Sequence, residues 1–266
     1  MPRQRKPLRS DLGWSTPNRI VVRGKDLPGE LLGKINLGDM AFLELTGRVP
    51  TPQESTVFNA ILVTLVEHGV TPSALAARLT YAGAPEALQA AVASGLCGLG
   101  TVFVGSMEGV AKMLAEALPR ARAGSVTATE LDAIARDTVA AWRAQKRPIP
   151  GLGHPIHKPI DPRTPRLFQI AQENGLSGAY VQLVQRIAAE AERAAGKQLP
   201  INATGAIGAI CCELGLPDRI VRGLGVMARA VGLVGHILEE TERPMALEIW
   251  QRVDDEASEH LRPKGE

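Results

Sequence analysis

Seventeen residues near the middle of the chain, Arg147-Pro-Ile-Pro-Gly-Leu-Gly-His-Pro-Ile-His-Lys-Pro-Ile-Asp-Pro-Arg163, concentrate the side chains best suited to chemistry. Five prolines in this stretch remove backbone donors and fix φ, so it cannot be a helix interior. It reads as a stiff loop, the kind of segment on which sites tend to sit. Gly151-Leu152-Gly153 stands immediately before His154. Two glycines would let a ligand approach the backbone, and consecutive N–H groups suit phosphate or carboxylate oxygens. Lys158 and Arg163 add cations, so the loop points to an anionic ligand, although the pattern is not a Walker loop. A rigid connector with solvated basic side chains is the plainer alternative.

The segment from Pro217 to about Glu240 holds a second group of candidates. Ile220, Leu224, Met227, Val231, Val234 and Leu238 step at helical spacing, which predicts a long helix with this stripe in the core. Beside it, rotated by roughly 100°, run Gly225, Arg229, Gly232 and His236. Small residues alternating with Arg and His predict the close approach of another backbone, with two polar side chains turned into a crowded face. A buried guanidinium needs anionic company, and no acidic residue shares this stripe before Glu239 and Glu240. An internal ion pair would satisfy that need, and so would a ligand carboxylate.

His68 ends an apolar stripe just before Gly69, a place for a C-terminal cap as readily as for a catalyst. His157 and His260 read as surface residues. Cys97, Cys211 and Cys212 have no zinc spacing and make a poor disulfide framework. They read as small core residues of a protein from a reducing compartment, expected to be the cytoplasm.

The elements that must position these residues are helical almost throughout. Thr51-Pro-Gln-Glu54 and Thr127-Ala-Thr-Glu130 are capping boxes, and Thr71-Pro72 is a further helix start. Phe58, Ile61, Leu62 and Leu65 share one face. Leu131, Ile134, Thr138 and Trp142 form another stripe, and Tyr180, Leu183, Val184, Ile187 and Ala191 a third. Asn202 or Thr204 could cap a helix over 205–214. Strand territory is confined to the first 35 residues, with Ile20–Gly24 as a short candidate. The fold class is all-α. The 266 residues, 45% hydrophobic and 22% charged, suffice for one large core or two lobes sharing one. A net charge of +2, with only three Trp, two Tyr and four Phe for stacking, argues against a nucleic-acid partner. No apolar run reads as a membrane span, and the basic start lacks the apolar region of a secretory signal.

Four segments in order resemble the citrate synthase family, and specifically its shorter lyase branch. The Gly151–Arg163 loop, with Asp161-Pro-Arg163 at the matching offset, is similar to the family's catalytic-His loop. Ala228-Arg229 through Gly235-His236 resembles its helix with a substrate-binding Arg. Glu242-Arg243-Pro244 resembles a segment whose Arg reaches the neighbouring subunit's site, and Glu67-His68-Gly69 matches an Asp-His-Gly/Glu segment. Gly98 through Glu108 lacks the His of the synthases and carries Phe103-Val-Gly, similar to the citryl-CoA lyase module of ATP-citrate lyase. A second departure is Thr204, which stands where the family has the Asp that acts as general acid and base. A hydroxyl cannot take that role near neutral pH. Glu108 and Asp161 are the nearby carboxylates that could replace it.

The resemblance implies cleavage of citryl-CoA, or a close 3-hydroxy-3-carboxyacyl-CoA, to oxaloacetate and acetyl-CoA. It implies His154 and His68 as catalytic groups with Thr204 at the acid position. Arg163, Arg229, Arg243 and Phe103 would bind substrate, and Gly151, Leu152, Gly153 and Lys158 would hold CoA. No cofactor beyond coenzyme A, itself part of the substrate, is implied. The expected partners are citryl-CoA or acetyl-CoA with oxaloacetate or citrate, and a second copy in a homodimer; neither nucleic acid nor a membrane is expected. The implied lobes are a large one over 1–105 and 216–266 and a smaller one over 106–215. Two alternatives stay open: condensation in the synthase direction, and a catalytically weak homologue that binds CoA or a tricarboxylate.

Overall fold

A computed structural model describes residues 7–153 and 159–262. The expectations for His154, His157 and Lys158 therefore lie outside the described residues. The chain opens on a small antiparallel sheet, β1 (Gly13–Thr16), β2 (Arg19–Val22) and β3 (Lys25–Asp26), in that order, with Trp14 opposite Val21 and Val22 opposite Lys25. The remainder is helical, as expected for the class: α1 (Leu37–Thr46), α2 (Pro52–Val66), α3 (Pro72–Gly83), α4 (Leu88–Cys97), α5 (Gly105–Ala117), α6 (Arg120–Ala123), α7 (Ala128–Ala144), α8 (Arg163–Glu173), α9 (Ala179–Ala195), α10 (Ala203–Glu213), α11 (Asp218–Glu242) and α12 (Ala246–Ser258).

Local chemistry sets several of the helix starts. Thr51 and Thr127 close reciprocal capping boxes with Glu54 and Glu130, Thr71 caps α3 ahead of Pro72, and Asn202 caps α10. Burial then follows the stripes on α9, where Tyr180, Leu183, Val184, Ile187 and Ala191 are all buried. On α7 the buried line is Leu131, Ala135 and Val139, with Ile134, Thr138 and Trp142 at its flank. One contiguous core joins Phe42 of α1 and Phe58 of α2 to Met107 and Leu114 of α5, Ile187 of α9 and Leu224 of α11. Its centre is α10, which is apolar on all sides and buried from Gly205 through Cys212. Burial pushes the Cys211 and Cys212 thiols up, Cys212 to about 12, so they are inert core residues, whereas Cys97, expected in the core with them, is exposed at the end of α4.

The long helix corrects the sequence reading. Its buried line runs through Val221, Leu224, Gly225, Ala228, Arg229, Gly232, Leu233, His236, Ile237 and Glu240. Met227, Val231, Val234 and Leu238, expected in the core, are 36 to 60% exposed. The reason is steric. A Cβ at Gly232 would overlap the Val66 carbonyl oxygen, and one at Gly225 would overlap the Val104 side chain. Only the small-residue face lets α2 and the start of α5 come this close, so it is the face that packs. Counter to the sequence reading, α11 is also long and apolar enough to cross a membrane by length and composition. Half of its most apolar window is buried inside the fold, and its inward face carries Arg229, His236 and Glu240, as suits the core helix of a packed domain.

Candidate active site

A cavity of about 280 Å³ opens where the end of α2, the start of α3, the α4–α5 connection, the start of α10 and the middle of α11 converge. His68, Phe103, Ser106, Gly153, Arg163, Asn202, Thr204 and Arg229 all contribute to its wall. Sequence reading had singled out His68, Phe103, Gly153, Arg163, Thr204 and Arg229 among these, and the fold gathers them from widely separated parts of the chain.

The floor is built by pairing the Pro-rich loop with the segment before α10. Leu152 and Ile201 form an antiparallel bridge, and Asn202 N donates to Gly151 O at 3.0 Å. Gly151 has φ +79°, and a Cβ there would lie 2.6 Å from the Gly205 Cα, so only glycine brings the loop against α10. Gly153 N–H, expected to face ligand oxygens, donates to Pro200 O at 2.7 Å instead. Asn202 ties the parts together: its Nδ2 donates to Gly153 O at 2.7 Å, and its Oδ1 accepts from Gly205 N at 3.1 Å and from Thr204 Oγ1 at 2.6 Å. Ser106 Oγ donates to Thr204 Oγ1 at 2.9 Å. Thr204, which the resemblance sets at the position of the family's acid, thus forms a hydroxyl pair with Ser106 that is locked to the α10 cap.

Neither carboxylate proposed as a substitute is available. Glu108 pairs with Arg222 at 2.7 Å. Asp161 is fully buried and accepts from Arg163 Nε and Nη2 at 2.9 and 2.8 Å, from Arg163 N at 3.1 Å and from Ala203 N at 2.9 Å. Burial alone would raise its pKa, but the Arg163 side chain and the N–H groups of Ala203 and Arg163 outweigh it and hold the carboxyl at about 2. Asp161 is therefore an anchor for Arg163 and for the α10 N-terminus, not a proton shuttle.

This anchor has a measurable pH signature. A folded-state pKa of about 2, below the ordinary 3.8, gives stability that is present above about pH 4 and lost as pH falls through 2. The difference amounts to about 2 kcal/mol. Asp161→Asn should lower the free energy of unfolding by about that much at neutral pH and flatten the fall between pH 4 and 2. Urea unfolding series across this range test it; an acid limb identical to that of the unmodified chain would remove Asp161 from the account.

Arg229 is the opposite case. It is 8% exposed, and its Nε and Nη1 have no hydrogen-bond partner among the described residues. Burial pulls its pKa down, with Glu67 acting the other way. The cavity thus presents two guanidiniums and His68, and no Asp or Glu belongs to its described wall. Such a site is complementary to carboxylates.

His236, expected beside Arg229 in a polar face, does not reach the cavity wall. It bonds instead to Arg78 and Glu67, in a cluster where Arg78, His236 and Glu240 are buried and Glu239 is exposed. The anionic company anticipated for Arg229 goes to Arg78, which sequence reasoning missed: it is one Arg in an Ala-rich helix, and its partners lie about 160 residues away. The only local signal was a charge one turn after Ala74 on the packed face of α3. Ser106 was missed as well, having no partner near it in sequence. Arg243, at the end of α11, is exposed and does not line the cavity of its own chain. A second groove of about 340 Å³ borders the Pro-rich loop at Ile149 and Leu152 and carries Arg143, Arg147 and Lys197.

Comparison with known proteins agrees with this architecture. The family model described as "Citrate synthase, C-terminal domain" matches residues 36–250. Citrate synthase 2 of Bacillus subtilis is 27% identical over 197 residues, covering 74% of this chain and 50% of its own length. The ATP-citrate synthase beta chain protein 2 of Arabidopsis thaliana is 27% identical over 221 residues, covering 76% and 34%. The chain thus spans about half the length, or less, of these curated relatives. Among solved structures, citryl-CoA lyase from Hydrogenobacter thermophilus superposes with a TM-score of 0.78 at 31% identity, covering 88% of this chain and 87% of that one. The Methanosaeta concilii ATP citrate lyase in complex with (3S)-citryl-CoA shares the fold at a TM-score of 0.70 and 20% identity, over 90% of this chain and 40% of that one. With the family model spanning most of its length and the cavity built from the segments that carry the resemblance, this chain belongs to the citrate synthase family.

Proposed function

We propose that the protein cleaves citryl-CoA, or a close 3-hydroxy-3-carboxyacyl-CoA, to oxaloacetate and acetyl-CoA. The observation that carries this reading is the buried Arg229, its Nε and Nη1 unpaired among the described residues, sharing with Arg163 a cavity whose described wall has no carboxylate. The likeness to the compact citryl-CoA lyase over nearly the full length supports the same direction of chemistry.

In this reading the two free carboxylates of the citryl group pair with Arg163 and Arg229, each a planar fork suited to bidentate contact. The tertiary hydroxyl loses its proton, its oxygen becomes the ketone of oxaloacetate, and the adjacent C–C bond breaks. The electron pair passes into the acetyl-CoA enolate, which takes a proton at carbon. His68 lies in the wall to hydrogen-bond the dicarboxylate, and His154 of the Pro-rich loop orients the hydroxyl. Fixed donors in a water-poor cleft favour the developing oxyanions. Arg143, Arg147 and Lys197, in the groove beside Leu152, and Lys158 supply cations for the CoA phosphates. Closure of the 106–215 lobe over the rest would exclude water from the cavity.

Direct assay tests this. Citryl-CoA mixed with the protein should release oxaloacetate and acetyl-CoA in equal amounts, with turnover lost in Arg163→Lys, where the fork is gone. Binding of citryl-CoA without product would instead favour a second reading, a CoA- or tricarboxylate-binding homologue. The commitment of the Thr204 hydroxyl to Asn202 is the observation in its favour.

The partner in this reading is a second copy of the chain. Val231, Val234 and Leu238 on α11 and Leu247, Trp250 and Val253 on α12 leave two apolar stripes about half or more exposed, the kind of surface that a partner can cover. Arg243 lies between these stripes in sequence, and in this reading it serves the neighbour's site. Mixing Arg243→Ala with Arg229→Ala should restore one site per hybrid dimer, about a quarter of all sites in a random mixture. No recovery after verified subunit exchange would confine Arg243 to its own subunit or to no role.

A further inference from the structure

Arg78 of α3 is fully buried, and its guanidinium is divided among three residues of α11. Nη1 donates to Glu240 at 2.8 Å, Nη2 donates to Glu239, and Nε and Nη2 reach His236 Nδ1 at 3.2 and 3.0 Å. A guanidinium has donors only, so Nδ1 of His236 must accept. The ring is thereby fixed as the tautomer with its proton on Nε2, and that nitrogen lies 3.2 and 3.1 Å from the two oxygens of Glu67. Glu67 Oε1 in turn accepts from His68 N at 2.8 Å and Gly69 N at 2.5 Å. A chain of directed hydrogen bonds thus runs from a buried Arg to the backbone of the residue that carries His68 into the cavity wall. Gly232 lies one turn before His236 and admits the Val66 carbonyl against α11, so the same helix seats both ends of this turn.

We infer that Arg78, His236 and Glu67 form a positioning relay that sets where His68 stands in the cavity, acting through the tautomer of His236 rather than by touching substrate. The inference rests on the proposed use of the cavity only in its choice of citrate as probe. Neither the Ala-rich sequence of α3 nor the stripe on α11 assigns these residues such a role. Glu240 does different work: its other oxygen accepts from Met245 N and Ala246 N at 2.9 and 2.8 Å and holds the start of α12.

Two substitutions at one position separate a relay from simple satisfaction of the buried Arg. His236→Asn keeps an acceptor where Nδ1 meets Arg78 and removes the donor to Glu67. His236→Gln extends an amide donor to the Nε2 position and restores the link to Glu67. The readouts are citrate affinity by calorimetry and the titration curve of the His68 ring by NMR in the ligand-free protein, with thermal melting alongside. The relay predicts citrate affinity at least five-fold weaker and a displaced His68 curve for Asn, with Gln within two-fold of the unmodified chain. Glu67→Gln, which turns an amide donor toward the His236 Nε2–H, should displace the His68 curve in the same way should the Asn variant fold poorly. An unmoved His68 curve in both the Asn and Glu67→Gln variants would overturn the relay, as would a Gln variant as impaired as Asn while melting normally. If the unmodified protein does not bind citrate, the proposed function fails, while the His68 curve still decides the relay.

Discussion

Arg229→Met should weaken citrate binding by about 1.5–3 kcal/mol, roughly 10–150-fold, and leave the protein at least as stable as before. The two halves of this expectation have one cause. In the free protein the guanidinium is desolvated without hydrogen-bond partners for Nε and Nη1 among the described residues, so it costs stability. Methionine fills the volume of the aliphatic stem, and replacing a poorly paired buried charge by an apolar side chain of similar size is often stabilising. A ligand carboxylate supplies the missing acceptors, and the cost of holding Arg229 ready is recovered on binding. Calorimetry with citrate and a melting curve of the same sample measure both halves. Unchanged affinity together with a lower melting temperature would make Arg229 a packing residue and remove the anion site. Arg163 should behave differently, because its removal leaves the fully buried Asp161 without its guanidinium.

Thr204→Asp should raise citryl-CoA cleavage by at least ten-fold, the direction set by the 10²–10⁴-fold, roughly, that a positioned general acid contributes. Residue 204 is the second residue of α10, with Ser106 Oγ 2.9 Å from the present hydroxyl. A carboxylate there could accept that bond and would stand near the helix N-terminus, where negative charge is favoured. Asn202 remains as the cap, so the gain should not be confused with one in stability. The expectation follows from a cavity that has two guanidiniums and a His but no carboxylate in its described wall. Steady-state turnover at saturating substrate is the check. Turnover unchanged or lower in a folded variant would favour the binding homologue or a different substrate.

How much of this was legible in the sequence depended on the distance over which each feature is determined. Thr51–Glu54 and Thr127–Glu130 are complete within one turn, so their capping boxes could be read directly. The face of α11 could not. Periodicity marks the apolar stripe, but the close contacts of Gly225 and Gly232 decide that the other face packs. Asp161 was visible as a carboxylate in the right loop, yet its role depends on Ala203 N–H, 42 residues away. Arg78 was illegible for the same reason, since the side chains that receive its hydrogen bonds all belong to α11. The resemblance pointed to His68, Phe103, Gly153, Arg163, Thr204 and Arg229 in the wall but not to Ser106, and it did not reveal that Glu108 and Asp161 were already paired with Arg222 and Arg163.

The central claim is that this cavity receives the carboxylates of a citryl group. A crystal structure of the protein grown with citrate and coenzyme A measures it most directly. The account predicts one citrate carboxylate on Arg163 and another on the buried Nε and Nη1 of Arg229, with the His68 ring in contact with the same molecule. Citrate bound elsewhere, with Nε and Nη1 of Arg229 still unpaired at full occupancy, would contradict it.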